Sequence, residues 1–341
     1  MYNLAIIGAG SWGTAIAVLL AKKGCNVSQW VRRQELCLQM RETKENITYL
    51  PSIVLPNNID VSSDLEYCCK GKEVIVIATP SHAVRETVQK MKPYVSKEQI
   101  IVNLAKGIEN DTLMRMSQII EELLPENPVA VLSGPCHAEE VARDIPTAIV
   151  SSAKERWVAE RIQDIFMTPK FRVYTNPDIV GVELGGALKN IIALGAGVID
   201  GLGFGDNTKA ALMTRGIVEI SRLGESLGAN SMTFAGLSGI GDLIVTCTSM
   251  HSRNRRAGIA IGEGKSLEEV LGGTNMVVEG VRTTKAAYDL ACKMGVEMPI
   301  TEEIYNLLYK KEDVKNSVIN LMMRAKTHEA EDIAELVGYN W

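Results

Sequence analysis

Two lysines set the chemical question in this sequence. Lys189 sits inside residues 178–199, a run that is otherwise almost wholly apolar. A run of that kind reads as a helix buried on all sides, and lysine is rarely buried without a reason. The positions one turn away, Gly185 and Ala193, are small, which would leave room for a ligand beside the ammonium. Desolvation lowers a lysine's pKa toward the range where it can both give and take a proton. The same lysine could instead pair with Glu183 or reach out to solvent. Lys106 follows a second apolar run, residues 99–103, which reads as a strand. A lysine just past a strand end can neutralise a substrate oxyanion, or simply be solvated.

A third cluster points to an anion. Residues 4–7 form a short apolar run that ends in Gly8, Gly10 and Gly13, spaced as G-x-G-x-x-G. An alanine- and leucine-rich helical run follows, then Gly24 and a second strand-like run, residues 26–31. Strand, glycine turn, helix and strand make the βαβ context that a dinucleotide pyrophosphate requires. Ser11 and Trp12 lie inside the turn. The acidic residue that would accept from a ribose 2′-hydroxyl is absent; Val31, Arg32 and Arg33 hold its place. A guanidinium fork suits a 2′-phosphate, so the expected cofactor is NADP(H), with NAD(H) not excluded.

Other candidates lie near strand ends or loop tips. Residues 128–133 read as a strand ending in Gly134, Pro135 and Cys136. Ser252, Arg253 and Asn254 share one basic loop ahead of a helix and could clamp an oxyanion or phosphate. Asp242 is expected to cap a helix, Ser81 to cap another, and Glu279 to cap a third or face a ligand.

These residues need a scaffold. With 341 residues, 46% hydrophobic and 23% charged, two globular domains are expected. Strands alternate with helices up to residue 176, with 34–60 read as polar and irregular, implying a mostly parallel, doubly wound α/β sheet. From residue 177 to 341 the pattern becomes helical. A net charge of -5 leaves no footprint for nucleic acid. No unbroken apolar run reaches the roughly 18 residues of a membrane span, and no leader-like segment opens the chain. Seven cysteines without metal spacing, and four scattered histidines, favour a reducing cytoplasm with no metal site.

In combination the motifs resemble those of bacterial NAD(P)-dependent glycerol-3-phosphate dehydrogenase over essentially the whole chain. They are Gly8 to Thr14, Lys106-Gly107, Ser133-Gly134-Pro135, Gly186 to Asn190, Ser252-Arg253-Asn254 and Val277 to Gly280. The resemblance implies an N-terminal Rossmann domain and an all-helical, 6-phosphogluconate-dehydrogenase-like second domain. It implies reversible reduction of dihydroxyacetone phosphate, a phosphotriose, to sn-glycerol 3-phosphate for phospholipid synthesis. It would give Lys189 the role of proton donor and acceptor. Ser11, Trp12, Arg32, Arg33, Tyr49, Lys106, Ala138, Arg253, Val277 and Glu279 would touch the cofactor. Lys106, Gly134, Asp242, Ser252, Arg253 and Asn254 would surround the substrate. The family's usual Ser or Thr after Ser-Gly-Pro is Cys136 here, and a thiol is a weak donor, so its contact with substrate stays open. Two other readings also stay open: another two-domain dehydrogenase of the 3-hydroxyacid or 6-phosphogluconate type, and a non-catalytic dinucleotide sensor. The sensor would need no lysine in an apolar helix. A second copy of the chain is an open partner for the helical half.

Overall fold

The computed structural model describes residues 2–273 and 277–325. Its first half supplies ten strands: Asn3–Ile7 (β1), Asn26–Trp30 (β2), Glu45–Asn46 (β3), Leu50–Val54 (β4), Ile59–Ser62 (β5), Val74–Ile77 (β6), Ile100–Asn103 (β7), Val129–Ser133 (β8), Thr147–Ala153 (β9) and Phe171–Asn176 (β10). Seven helices accompany them: Ser11–Lys22 (α1), Gln34–Thr43 (α2), Leu65–Cys69 (α3), Val84–Met91 (α4), Met116–Leu123 (α5), Ala138–Ala142 (α6) and Arg156–Phe166 (α7).

Eight strands make one sheet in the order β10-β9-β8-β7-β6-β1-β2-β5. From β8 to β5 all pairs are parallel. β9 pairs antiparallel to β8, and β10 runs parallel to β9. Alternation along each strand divides the apolar side chains between two faces. Leu4, Ile6, Val74 and Val76 pack with α1 and α7, whereas Ala5, Ile7, Ile75 and Ile77 pack with α4 and α5. The chain first winds from β1 outward to β5, then returns to β6 and winds the other way. Ligands bind beyond the carboxyl ends of the strands at such a reversal.

Residues 34–60 are not irregular. They form α2, the β3–β4 hairpin and the start of the edge strand β5. The hairpin reaches back to the glycine turn: the buried Asn46 side chain donates to the Ala9 carbonyl (2.9 Å) and to Thr14 Oγ1 (2.8 Å).

The second half is helical: Ile179–Gly201 (α8), Asp206–Ser226 (α9), Ser231–Phe234 (α10), Asp242–Thr248 (α11), Arg253–Gly262 (α12), Leu267–Gly272 (α13), Glu279–Met294 (α14), Pro299–Tyr309 (α15) and Val314–Met322 (α16). The helix α8 is the axis of this half, packed by α9, α11, α12 and α14. Asp178 caps it by accepting from the Gly181 N–H (2.8 Å). By length and composition α8 could cross a membrane, contrary to the expectation from unbroken apolar runs, but its most apolar window is 94% buried inside the protein. Glycines let α12 lie directly on it. A side-chain carbon at Gly258 would stand 2.0 Å from the Leu194 carbonyl oxygen, so no larger residue fits.

Candidate active site

The glycine turn is built as its spacing demands. Gly8 has φ +127°, and a side-chain carbon there would meet the Ala78 carbonyl oxygen at 2.7 Å. One at Gly13 would meet the Gly8 carbonyl oxygen at 2.5 Å, whereas one at Gly10 would meet nothing within 4 Å. So Gly8 and Gly13 are fixed by packing, and Gly10 keeps a backbone face open. Gly10 is the N-cap of α1 and offers no side-chain cap, which leaves the helix N–H groups free to bind an anion. Gln29 braces the turn from β2, donating to the Gly8 carbonyl and to Thr14 Oγ1, each at 3.2 Å.

At the outer end of this crevice, Arg33 Nη2 donates to Tyr49 Oη (3.1 Å), and its guanidinium lies 5.6 Å from the Tyr49 ring centre. Arg32 and Arg33 are both exposed. Ser11 and Trp12 start α1 half-buried, and Trp12 packs on Ala15, Leu50 and Ala138.

The lysines meet over one carboxylate. Lys106 lies three residues beyond β7, where Asn103 fixes the turn by donating to the Ala105 carbonyl (2.9 Å) and accepting from its N–H (3.1 Å). Lys106 Nζ donates to Asp242 Oδ2 (2.6 Å), to the Gly134 carbonyl (2.9 Å) and to Cys136 Sγ (3.4 Å). Lys189, buried in the middle of α8, ion-pairs with the other oxygen, Asp242 Oδ1, and donates to Thr246 Oγ1 (2.6 Å). Asp242 is therefore not a helix cap. It occupies the first turn of α11 with its side chain turned to both lysines, where the helix dipole favours a carboxylate.

The two lysines titrate apart. Burial lowers the Lys189 pKa to about 8, against the opposing pull of Asp242 and with the help of the Lys106 charge. Burial also acts on Lys106, but Asp242 and Cys136 outweigh it and hold its pKa above the ordinary lysine value. Burial raises the Cys136 thiol pKa. The thiol lies against Lys106 and donates to the Gly134 carbonyl (3.0 Å).

Other expected residues have more mixed positions. Glu183 does not pair with Lys189; it pairs with Arg115 and accepts from the Ser117 N–H (2.8 Å) across the domain boundary. The space beside Gly185 is filled by the Ser238 backbone, 2.5 Å from where a side-chain carbon would sit, so this position serves packing and leaves no ligand room. Ser252 caps α12, accepting from the Arg255 N–H (3.2 Å). Asn254 donates to Asn190 Oδ1 (2.8 Å) and accepts from the Gly280 N–H (2.8 Å). Its amide ties helices together. Arg253 begins α12, is exposed, and has no ion pair among the described residues. Glu279 begins α14 and accepts from Ser81, so Ser81 caps no helix. Val277 is half-buried just before it; residues 275 and 276 of the expected loop lie outside the described residues.

Two family models match the sequence. The N-terminal model of NAD-dependent glycerol-3-phosphate dehydrogenase matches residues 3–159, and the C-terminal model matches residues 178–319. The chain belongs to the NAD-dependent glycerol-3-phosphate dehydrogenase family. It is 61% identical to the glycerol-3-phosphate dehydrogenase [NAD(P)+] of Moorella thermoacetica over 96% of this chain and 98% of that one. It is 58% identical to that of Pelotomaculum thermopropionicum over 97% and 96%. The crystal structure of glycerol-3-phosphate dehydrogenase from Coxiella burnetii superposes with a TM-score of 0.92 at 37% identity, covering 95% of this chain and 99% of that one.

A dinucleotide fits this member of the family on the structure's own terms. Trp12 Nε1, Thr79 Oγ1, Ser133 Oγ and His137 Nε2 are buried without a protein partner. Trp12 and Thr79 follow β1 and β6, Ser133 is the last residue of β8 and His137 follows it, so all four lie toward the carboxyl ends of these strands. Buried polar atoms are normally paired, so unpaired ones gathered at these strand ends are what a polar ligand would satisfy. Thr246, Asn103, Gln29 and Asn46 were not singled out from the sequence. Thr246 alone left a signal: it follows Asp242 by one helical turn, on the same face.

Proposed function

We propose that the chain catalyses the reversible reduction of dihydroxyacetone phosphate to sn-glycerol 3-phosphate, with NADPH preferred over NADH, in the cytoplasm, to feed glycerophospholipid synthesis. The observation that carries this reading is the single carboxylate of Asp242 shared by Lys106 and Lys189. Sites whose environments push neighbouring pKa values apart separate acid–base work from charge stabilisation. When bound, the nicotinamide supplies or takes the hydride at the carbonyl carbon. Lys189, with its pKa lowered to about 8, holds ammonium and amine forms together near neutrality. Its ammonium gives a proton to the carbonyl oxygen as that oxygen becomes an alcohol, and its amine takes the proton back in the oxidation. Lys106 stays protonated and stabilises the negative charge growing on the same oxygen. Asp242 and Thr246 orient the Lys189 ammonium. Arg253, exposed and unpaired among the described residues, suits the substrate phosphate. Arg32 and the Arg33–Tyr49 pair support the 2′-phosphate of the preferred cofactor. Seven free cysteines support a reducing compartment.

The test is loss of NADPH absorbance on adding dihydroxyacetone phosphate. Turnover of this triose above 3-keto acids is expected. Turnover confined to another keto substrate would replace the reading. Lys189→Ala should still bind NADPH, measured by its fluorescence, and lose turnover.

A further inference from the structure

Glu279 has a partner in the other half of the molecule. Its Oε1 accepts from the Ser81 backbone N–H (3.0 Å), and its Oε2 from the Ser81 hydroxyl (2.6 Å). Both carboxylate oxygens are thus engaged by one residue of the sheet domain, which is 4% exposed. Hydrogen bonds to a charged acceptor are shorter and stronger than neutral ones, so this clasp is the kind that fixes geometry.

The clasp is continuous with both lysines. On the sheet side, Ser81 rests on Gly107, the neighbour of Lys106. A side-chain carbon at Gly107 would stand 2.5 Å from Ser81 Cβ, 2.6 Å from its Oγ and 3.6 Å from Glu279 Oε2. On the helical side, Gly280 follows Glu279. A side-chain carbon there would stand 2.6 Å from the carbonyl oxygen of Asn190, the neighbour of Lys189. The Gly280 N–H and Asn190 are joined through Asn254.

We propose that Ser81 is a positioning residue: by clasping Glu279 it sets the Lys106 turn at its working distance from the Lys189 helix. This rests on the reading of Lys106 and Lys189 as the charge-stabilising and proton-transferring pair. The Ser81 side chain and N–H bond to Glu279 and not to either lysine ammonium. Its effect passes through Gly107 on one side and Glu279 on the other.

Two measurements on the full-length protein test this. The first needs no turnover: hydrogen exchange of the segment around residue 81. Glu279→Ala should speed exchange of the Ser81 amide about 10-fold or more, the loss of one charge-assisted bond. Unchanged protection would overturn the clasp. The second is kinetic. Ser81→Ala should lower kcat about 10-fold, with the NADPH dissociation constant held within about 2-fold and the melting temperature close to wild type. The Ser81→Ala, Glu279→Gln double variant should fall no further than the worse single variant, as expected for residues acting as a unit. Wild-type kcat in Ser81→Ala, additive losses in the double variant, or equal losses in kcat and NADPH affinity would each overturn the positioning role. If Lys189→Ala turned over like wild type, the catalytic reading would fail and this role with it, while the exchange result would still report on the clasp.

Discussion

Lys106 Nζ stands 2.6 Å from Asp242 Oδ2, the carboxylate oxygen that Lys189 leaves free. Two cations therefore share one buried anion, and burial, with the Lys106 charge adding to it, lowers the pKa of Lys189. Its pKa of about 8 makes the two directions of reaction depend oppositely on pH. Reduction needs the ammonium, so its kcat should fall as pH rises through about 8. Oxidation needs the amine, so its kcat should rise over the same range. Asp242→Asn removes the charge that opposes burial, so both limbs should move to lower pH by about one unit or more. Rate profiles in both directions check this; limbs that stay in place would remove Asp242 from control of Lys189.

Arg33 and Tyr49 hold each other at the rim of the crevice, 3.1 Å apart. That contact pre-orients a guanidinium where an acidic residue would otherwise bind a ribose hydroxyl. Replacing Arg32 and Arg33 together by alanine should raise the Michaelis constant for NADPH by about 10-fold or more, the worth of lost charge-assisted bonds. The constant for NADH should change much less. Equal effects on the two cofactors would count against recognition of the 2′-phosphate.

The local parts of this molecule were readable because local physics makes them. Four-residue β-branched runs had to be buried strands, and the glycines of the first turn had one workable arrangement. Lysine in an apolar helix called for a partner or a route to solvent, and the identity of its partner was not local. Asp242 is 53 residues from Lys189 and 136 from Lys106 in sequence. Glu183, the nearby alternative, lies about 120° away round the helix from Lys189 at 100° per residue, and so faces Arg115 instead. The segment 34–60 was misread because α2 is rich in polar residues, β3 is two residues long, β4 carries Pro51, and β5 is a short edge strand. Its purpose, the grip of Asn46 on Ala9 and Thr14, depends on a contact that no periodicity announces.

The glycine turn separates folding from binding. Gly13→Ala would place a carbon 2.5 Å from the Gly8 carbonyl oxygen, and backbone cannot yield as a flexible side chain can. It should destabilise the sheet domain by about 1–3 kcal/mol. Gly10→Ala meets open space and should melt within a few degrees of wild type while weakening NADPH binding. Thermal melts and fluorescence titration distinguish them. Equal melting losses would show that Gly10 is also a packing residue.

Glu219 makes the helical half sensitive to pH away from the active site. It lies on α9, 3% exposed, and accepts from the Ile300 N–H (2.6 Å), the Thr301 N–H (3.2 Å) and the Thr301 hydroxyl (3.3 Å) at the start of α15. Burial outweighs these donors and raises its pKa from 4.5 to about 7. The folded state therefore binds this proton more tightly than the unfolded chain does. The resulting stabilisation is complete below the unfolded pKa of 4.5 and is lost as pH rises through about 7. A shift of this size is worth roughly 3 kcal/mol by linkage, or several degrees in melting temperature for a protein of this length. Glu219→Gln mimics the protonated acid and keeps an acceptor for the α15 N–H groups. Its melting temperature should lie near wild type at pH 5 and above wild type at pH 8. Melting curves that stay parallel across that range would show that this carboxylate is ionised at no cost in the fold.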